Sequence, residues 1–124
     1  MKRRLAFDQS GAAAIEFALV LPALLMMMLG VVEFGRALWT QGTLQYAVEE
    51  AARYGAVDDQ ASSTGVVTRA RARMAGLDAA AVTVTATLGA SSVTVTASQS
   101  LNWLVPGLLP ADAVSLSATA THPR

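Results

Sequence analysis

Four residues near the start of the chain have the types and spacing for proteolytic processing and ion pairing: Gly11, Ala12, Glu16 and Phe17. Gly11 is a small residue between a basic leader and an apolar run, and Glu16 is a carboxylate inside that run. If the chain is cut after Gly11, Ala12 gains a free ammonium group four residues before Glu16. A carboxylate in apolar surroundings requires a cation. The N-terminal amine of an adjacent subunit would provide that cation and set the axial register of the two chains.

Glu16 also has a simpler interpretation, in which it lies at the membrane interface and is stabilised by the dipole at the helix N-terminus. A carboxylate costs about 2.5–3.5 kcal/mol at the bilayer centre and less near the interface, so such residues in membrane segments are usually functional. The presence of Gly11 at the leader border, together with Glu16, favours the ion-pairing interpretation.

The apolar run at residues 12–32 predicts a membrane-spanning helix. A helix of this length extends about 31 Å at ~1.5 Å per residue, which is enough to cross the hydrocarbon core. Basic residues at positions 2–4 precede it. The positive-inside rule therefore predicts that the leader, residues 1–11, stays in the cytoplasm and that the C-terminal part is exported.

A secretory signal peptide is the alternative interpretation of this region. Its cleavage site would follow the apolar core and would carry small residues. Here the small residues, at positions 11–14, precede the core, and positions 35–37 (Gly-Arg-Ala) offer only a weak downstream site. The position of the small residues therefore disfavours removal by an ordinary signal peptidase.

The remaining sequence predicts an α+β fold: a long N-terminal helix, a short second helix and a three-stranded antiparallel sheet packed on the helices. Residues 33–57 are expected to continue the membrane helix as a stalk, and residues 58–124 to form a small exported domain. Alternation of apolar residues with Thr and Ser indicates half-buried strands. The expected elements are a helix at about 64–76 and strands at about 81–88, 92–99 and 113–121.

Several glycines lie within the predicted long helix. Gly30, Gly35 and Gly42 each weaken a helix by about 1 kcal/mol, so they are expected to allow close approach of another helix or of the protein's own sheet. Gly55, with the two aspartates that follow it, is expected to end the helix.

Two aromatic features lie beyond the apolar run. Trp39 and Tyr46 suit the interfacial zone just outside a membrane span. Residues 101–109 form an apolar link that contains Trp103, and this link is expected to pack over the sheet edge or to reach a membrane or a partner.

Other candidate sites are weak. Arg69, Arg71 and Arg73 form either a partner-binding patch or, as the sequence favours, a solvated helix face. The chain has no cysteine, a formal net charge of zero and a single histidine, His122. We therefore expect no enzyme activity, no cofactor, no metal site, no nucleic acid partner and no small-molecule substrate.

The N-terminal half resembles a known family. A basic leader, then Gly-Ala-Ala-Ala-Ile-Glu-Phe-Ala-Leu-Val-Leu-Pro at residues 11–22, is similar to the class III signal of type IV prepilins. Together with Phe-Gly-Arg at 34–36 and Ala-Ala-Arg-Tyr-Gly-Ala at 51–56, it resembles the TadE-like pseudopilins, or minor pilins, of tight adherence (Flp) pilus systems. The pattern of Flp major pilins has Glu-Tyr where this chain has Glu16 and Phe17. Flp major pilins are also much shorter after the apolar run. The longer C-terminal region implies a minor component.

This resemblance implies cleavage between Gly11 and Ala12 by a prepilin peptidase, an aspartyl protease of the inner membrane. It implies roles in assembly for Glu16 and Phe17. The implied partners are this peptidase, other pilins and pseudopilins, the inner-membrane assembly platform and the lipid bilayer. The implied location is the bacterial inner membrane, as a single-pass protein with a cytoplasmic N-terminus, with possible incorporation in a surface pilus.

Two other classes of protein remain open. The first is an uncleaved membrane-anchored adaptor of an envelope secretion complex, which would bind partners through its exported domain. The second is an exported enzyme subunit, for which the sequence offers no catalytic residues.

Overall fold

A computed structural model describes residues 9–107 and 110–124. Most of the leader predicted at residues 1–11, and positions 108–109 of the apolar link, lie outside the described residues. The chain divides into two compact units, residues 1–34 and residues 35–124. We call these the N-terminal unit and the C-terminal unit and describe each by itself.

Helix α1 extends over Gln9–Val57 and includes Pro22. Within the N-terminal unit, its apolar side chains between positions 11 and 32 are almost all exposed, and they lie on every side of the helix. The most apolar 18-residue window has a mean hydropathy of 2.4, and none of it is buried. A helix that is apolar all round requires an apolar environment such as a bilayer.

The C-terminal unit combines the last part of α1 with α2 (Ser63–Ala72) and strands β1 (Val82–Leu88), β2 (Ser92–Asn102) and β3 (Ala113–Pro123). The strands form one antiparallel sheet in the order β1-β2-β3. The predicted α+β fold is therefore confirmed.

The largest differences from the expected element boundaries are at the ends of α2 and β2. Helix α2 ends four residues earlier than predicted, because the N–H groups of Arg73 and Met74 bond to carbonyls only three residues back, at Ala70 (3.0 Å) and Arg71 (3.1 Å). Gly76 then takes a positive φ of 84° and turns the chain away. Strand β2 is longer than predicted, since it includes the first two residues of the predicted apolar link, up to Asn102.

The core lies between the two helices and one face of the sheet. Strand β2 alternates in burial along its length, so Val93, Val95 and Ala97 face the core. Apolar side chains of α1 cover them, namely Leu44, Ala47, Val48, Ala51 and Ala52. On the exposed face, hydroxyls bond across strands, at 3.0 Å between Thr94 and Thr121 and at 3.1 Å between Thr96 and Thr119.

Gly55 lies inside α1 and marks the closest approach between this helix and the rest of the core, which corrects its predicted role as a helix terminator. A methyl group added at Gly55 would lie 2.9 Å from Val66 Cγ2 and 3.0 Å from Val93 Cγ1. The same group at Gly30, Gly35 or Gly42 would meet nothing within 4 Å. Packing against the protein's own sheet is therefore at Gly55 and not at these three glycines, whereas the approach of another helix to them stays a prediction.

This difference predicts opposite effects for two matched substitutions in α1. Gly55→Ala should destabilise the protein by about 1–3 kcal/mol, because two valines in a packed core must move. Gly42→Ala should stabilise it by up to about 1 kcal/mol through helix propensity alone. Thermal unfolding of the full chain in detergent, followed by circular dichroism, measures both. Equal effects of the two substitutions would contradict the proposed packing.

Candidate processing and assembly segment

Gly11 and Ala12 lie in the first turn of α1, which begins at Gln9. Both residues are exposed, and the space around Gly11 is open. The first N–H groups of a helix have no partner within the helix, and glycine further weakens this turn. The peptide bond between Gly11 and Ala12 is therefore helical in the structure, next to a residue that weakens the helix.

Glu16 follows Ala12 by four residues in the same helix, so the two side chains lie on one face, one turn apart. Side chains of a helix tilt towards its N-terminus, which directs the Glu16 carboxylate towards the level of Ala12. Phe17 lies about 100° around the helix from Glu16, and its side chain is 63% exposed. All four predicted site residues are accessible to a peptidase, to lipid or to a neighbouring subunit.

The surface next to this site is apolar. Its side chains include bulky groups that are more than half exposed, namely Ile15, Leu19, Val20, Met26, Met27 and Val31. Exposed apolar patches of this extent mark contacts with membranes or other proteins. Glu16 is therefore the one charged residue in positions 11–32 of the sequence, on a surface suited to lipid or to packed helices.

A second cluster of charged residues lies in the C-terminal unit and joins α1 to α2. The Glu50 carboxylate accepts hydrogen bonds from Arg69 Nη2 (3.0 Å) and Arg73 Nη2 (3.4 Å). The Arg69 guanidinium also lies 5.6 Å from the centre of the Tyr54 ring, within the range of a cation–π contact. Glu50, Tyr54 and Arg69 also line an open cleft of about 330 Å³, together with Arg53, Val57 and Asp58.

This cluster changes the acidity of two groups. The hydrogen bond from Arg69, with the positive charge of Arg73, lowers the pKa of Glu50. A hydrogen bond from the Tyr54 hydroxyl to the Asp58 carboxylate, with the negative charge of Asp58, raises the pKa of Tyr54. Both shifts follow from charge-assisted hydrogen bonds.

The three arginines therefore have a structural role that the sequence did not predict. Arg69 and Arg73 bind Glu50, and Arg71 donates to the backbone carbonyls of Ala79 (3.0 Å) and Val82 (3.3 Å). Arg71 thereby ties α2 to the start of β1. The spacing of the arginines gave no sign of this role, because Glu50 lies about 20 residues earlier in the chain. The two carbonyls that Arg71 binds belong to the backbone, so no residue type in the sequence indicates them.

No candidate metal centre emerges from the described ranges 9–107 and 110–124, where no group of three His, Asp or Glu side chains could hold an ion. The absence of catalytic chemistry stays a prediction from the sequence.

Comparison with known proteins gives one match. The family model described as TadE-like protein matches residues 11–53. The match confirms the resemblance found in the sequence, and it includes Gly11, Ala12, Glu16 and Phe17. No curated protein and no solved structure matches the chain.

The lowered pKa of Glu50 predicts acid-sensitive stability. A carboxyl group whose pKa is lower in the folded state stabilises the fold above its unfolded pKa, and this contribution is lost as the pH falls through the folded pKa. Glu50→Gln should therefore lower the melting temperature at pH 7, and the difference from the unsubstituted chain should shrink below about pH 4.5, the ordinary value for this group.

Glu49→Gln is the matched control, because Glu49 accepts its hydrogen bond from the neutral amide of Gln45 (2.7 Å) and lies one position away. Melting curves between pH 3 and pH 7 compare the two variants. A Glu50→Gln effect that does not change with pH would show that Arg69 and Arg73 do not stabilise the carboxylate.

Proposed function

We propose that this chain is a membrane-anchored pseudopilin, or minor pilin, that takes part in the assembly of a tight adherence (Flp) pilus, because the family model described as TadE-like protein matches residues 11–53. The observation that supports this most is that the matched segment contains Gly11 and Glu16 at the start of a helix with an exposed apolar surface. Its partners are other pilus components. Among them we include the inner-membrane assembly platform and a prepilin peptidase.

The proposed location is the inner membrane. Residues 12–32 cross the bilayer once, the basic leader stays in the cytoplasm, and the C-terminal unit is exported. The charges at positions 2–4 support this orientation through the positive-inside rule. A helix satisfies its backbone hydrogen bonds internally, so α1 is suited both to the bilayer and to the interior of a helical filament.

The proposed processing step is hydrolysis of the peptide bond between Gly11 and Ala12. The cut removes the cationic leader and leaves Ala12 as an ammonium group at the start of α1. It also removes the charges that hold the N-terminus in the cytoplasm. The processed helix can then leave the bilayer and pack against other helices.

The proposed assembly contact is an ion pair between Glu16 and the Ala12 ammonium of a neighbouring subunit. Glu16 alone would bring an unpaired charge into a bundle of apolar helices, which is costly. Pairing with an amine removes that cost only when the two helices are displaced by one particular distance along their axis. The ion pair therefore selects the axial register of neighbouring helices. The exposed apolar side chains around it provide the apolar area that is buried between those helices.

The processing step predicts a specific N-terminus. When the chain is co-expressed with a prepilin peptidase, N-terminal sequencing of the product should start at Ala12. Gly11→Leu should abolish processing, because a bulky side chain would occupy the position of the small residue before the cut.

Gly35→Leu is the control, since its side chain also enters open space and position 35 belongs to the weak signal-peptidase site. It should be processed normally. A product that keeps Met1 in the unsubstituted chain would refute processing and would favour the uncleaved adaptor. A product that begins just after residue 37 would indicate a signal peptidase instead.

The assembly contact predicts that Glu16→Gln separates insertion from assembly. The variant should still insert in the membrane, because a neutral amide is less costly there than a carboxylate, but it should lose piliation and co-purification with other pilus components. Glu49→Gln, a substitution in the same helix outside the proposed span, should retain both. Normal piliation of the Glu16→Gln variant would exclude the ion pair.

A further inference from the structure

The two tryptophans of the chain, Trp39 and Trp103, lie at the same end of the C-terminal unit. Arg36 Nη2 donates a hydrogen bond to the backbone carbonyl of Asn102 (3.1 Å), the residue before Trp103. Trp39 lies one helical turn after Arg36 in α1. The β2–β3 link therefore begins beside the first turn of α1 within this unit.

A second turn of the chain reaches the same end. A methyl group added at Gly76, in the turn between α2 and β1, would lie 2.9 Å from Cη2 of the Trp39 ring. The Trp39 side chain nevertheless stays 53% exposed. Three segments distant in sequence thus bring two tryptophans to one end of the unit.

The described part of the link, residues 103–107, has an apolar and uncharged surface. Its sequence is Trp-Leu-Val-Pro-Gly, and the Leu104 side chain is 59% exposed. The Trp103 indole N–H donates to the carbonyl of Ala111 (2.6 Å). Because the ring's one polar group is bonded within the protein, the ring can enter an apolar phase without losing a hydrogen bond to water.

This end of the unit is also the end closest in sequence to the apolar run. Arg36 follows Val32, the last residue of that run, by only four residues. Tryptophan is enriched at this depth, where bilayer and water meet. Arg36 is the first basic residue after the run, as expected for the headgroup region.

We propose that residues 103–107 rest in the headgroup region of the same bilayer that residues 12–32 cross, with Trp103, Leu104 and Trp39 as interfacial anchors. This inference rests on the proposed membrane anchoring. It assigns residues 103–107 of the apolar link, for which the sequence left three roles open, to a lipid surface.

A lipid surface fits this end of the unit better than a soluble partner does. An anchored chain holds the link next to the bilayer at a high effective concentration, so a few apolar side chains suffice for contact. A stable protein interface would need a much larger apolar area than one short link provides. The contact would give the exported unit a second attachment point and a fixed orientation on the membrane before assembly.

The test uses the full chain with Trp39→Phe, which leaves Trp103 as the single tryptophan. The protein is reconstituted in phosphatidylcholine vesicles with or without bromine on the acyl chains near the headgroups. Bromine quenches tryptophan emission only at short range. We expect Trp103 to lose most of its emission in brominated vesicles, and Leu104→Glu to restore most of it.

Val57→Glu is the matched control, because Val57 is an 81% exposed apolar side chain at the far end of α1. It should leave the quenching unchanged. Vesicle flotation in the same samples reports insertion of residues 12–32 independently of the link.

Chains that float with the vesicles but keep the full Trp103 emission would overturn the lipid contact and leave the anchoring intact. Blue-shifted but unquenched emission would overturn it as well, because the ring would then be covered by protein. Chains that do not float would overturn the anchoring itself and the lipid contact with it.

Discussion

Helix α1 must be stable in two different surroundings, and the rest of the structure depends on how its sequence meets both. Between positions 11 and 32 its apolar side chains lie on every side. Further along, only one stripe is apolar and buried, with Leu44 and Val48 at its centre. A helix can change surroundings in this way because its backbone hydrogen bonds are internal, so neither lipid nor water has to satisfy them. The change in side-chain pattern marks where one environment ends and the other begins.

The hydrophobic core of the C-terminal unit is made mostly of small side chains. Hydrogen bonds from side chains to backbone carbonyls add to the contacts between its elements. Alanine and valine dominate the buried side chains, so hydrophobic burial per residue is small. Close approach at Gly55 brings the helix near the sheet. Long polar side chains then connect separate elements through carbonyl oxygens, as Gln41 does with Ser117 (2.8 Å) and Arg71 with Ala79. These contacts fix the positions of elements that a larger core would hold by packing alone.

Features of the fold could be predicted from the sequence when the interacting residues lie close together in the chain. Alternation along β2 predicted its buried face because period-two patterning is local. The residues of the candidate site could be named from the sequence because Gly11 and Glu16 lie within two turns of one helix, and their roles stay predictions. The role of Gly55 and the binding of Arg69 to Glu50 depend on residues far apart in sequence, which periodicity does not reveal. The length of β2 was underestimated for the same reason: Leu101 is in the strand because it pairs with Val114.

The order of the strands has a consequence for the order in which the C-terminal unit can fold during synthesis. β1 pairs only with β2, and β2 pairs with both β1 and β3, so the sheet is complete only when β3 has been made. The apolar stripe of α1 is made earlier and has no complete sheet to cover it until then. A chain interrupted before β3 would therefore expose a preformed apolar helix face, for which chaperones and proteases would compete. The rate at which the strands follow the helix would then set the yield of folded protein as much as its stability does.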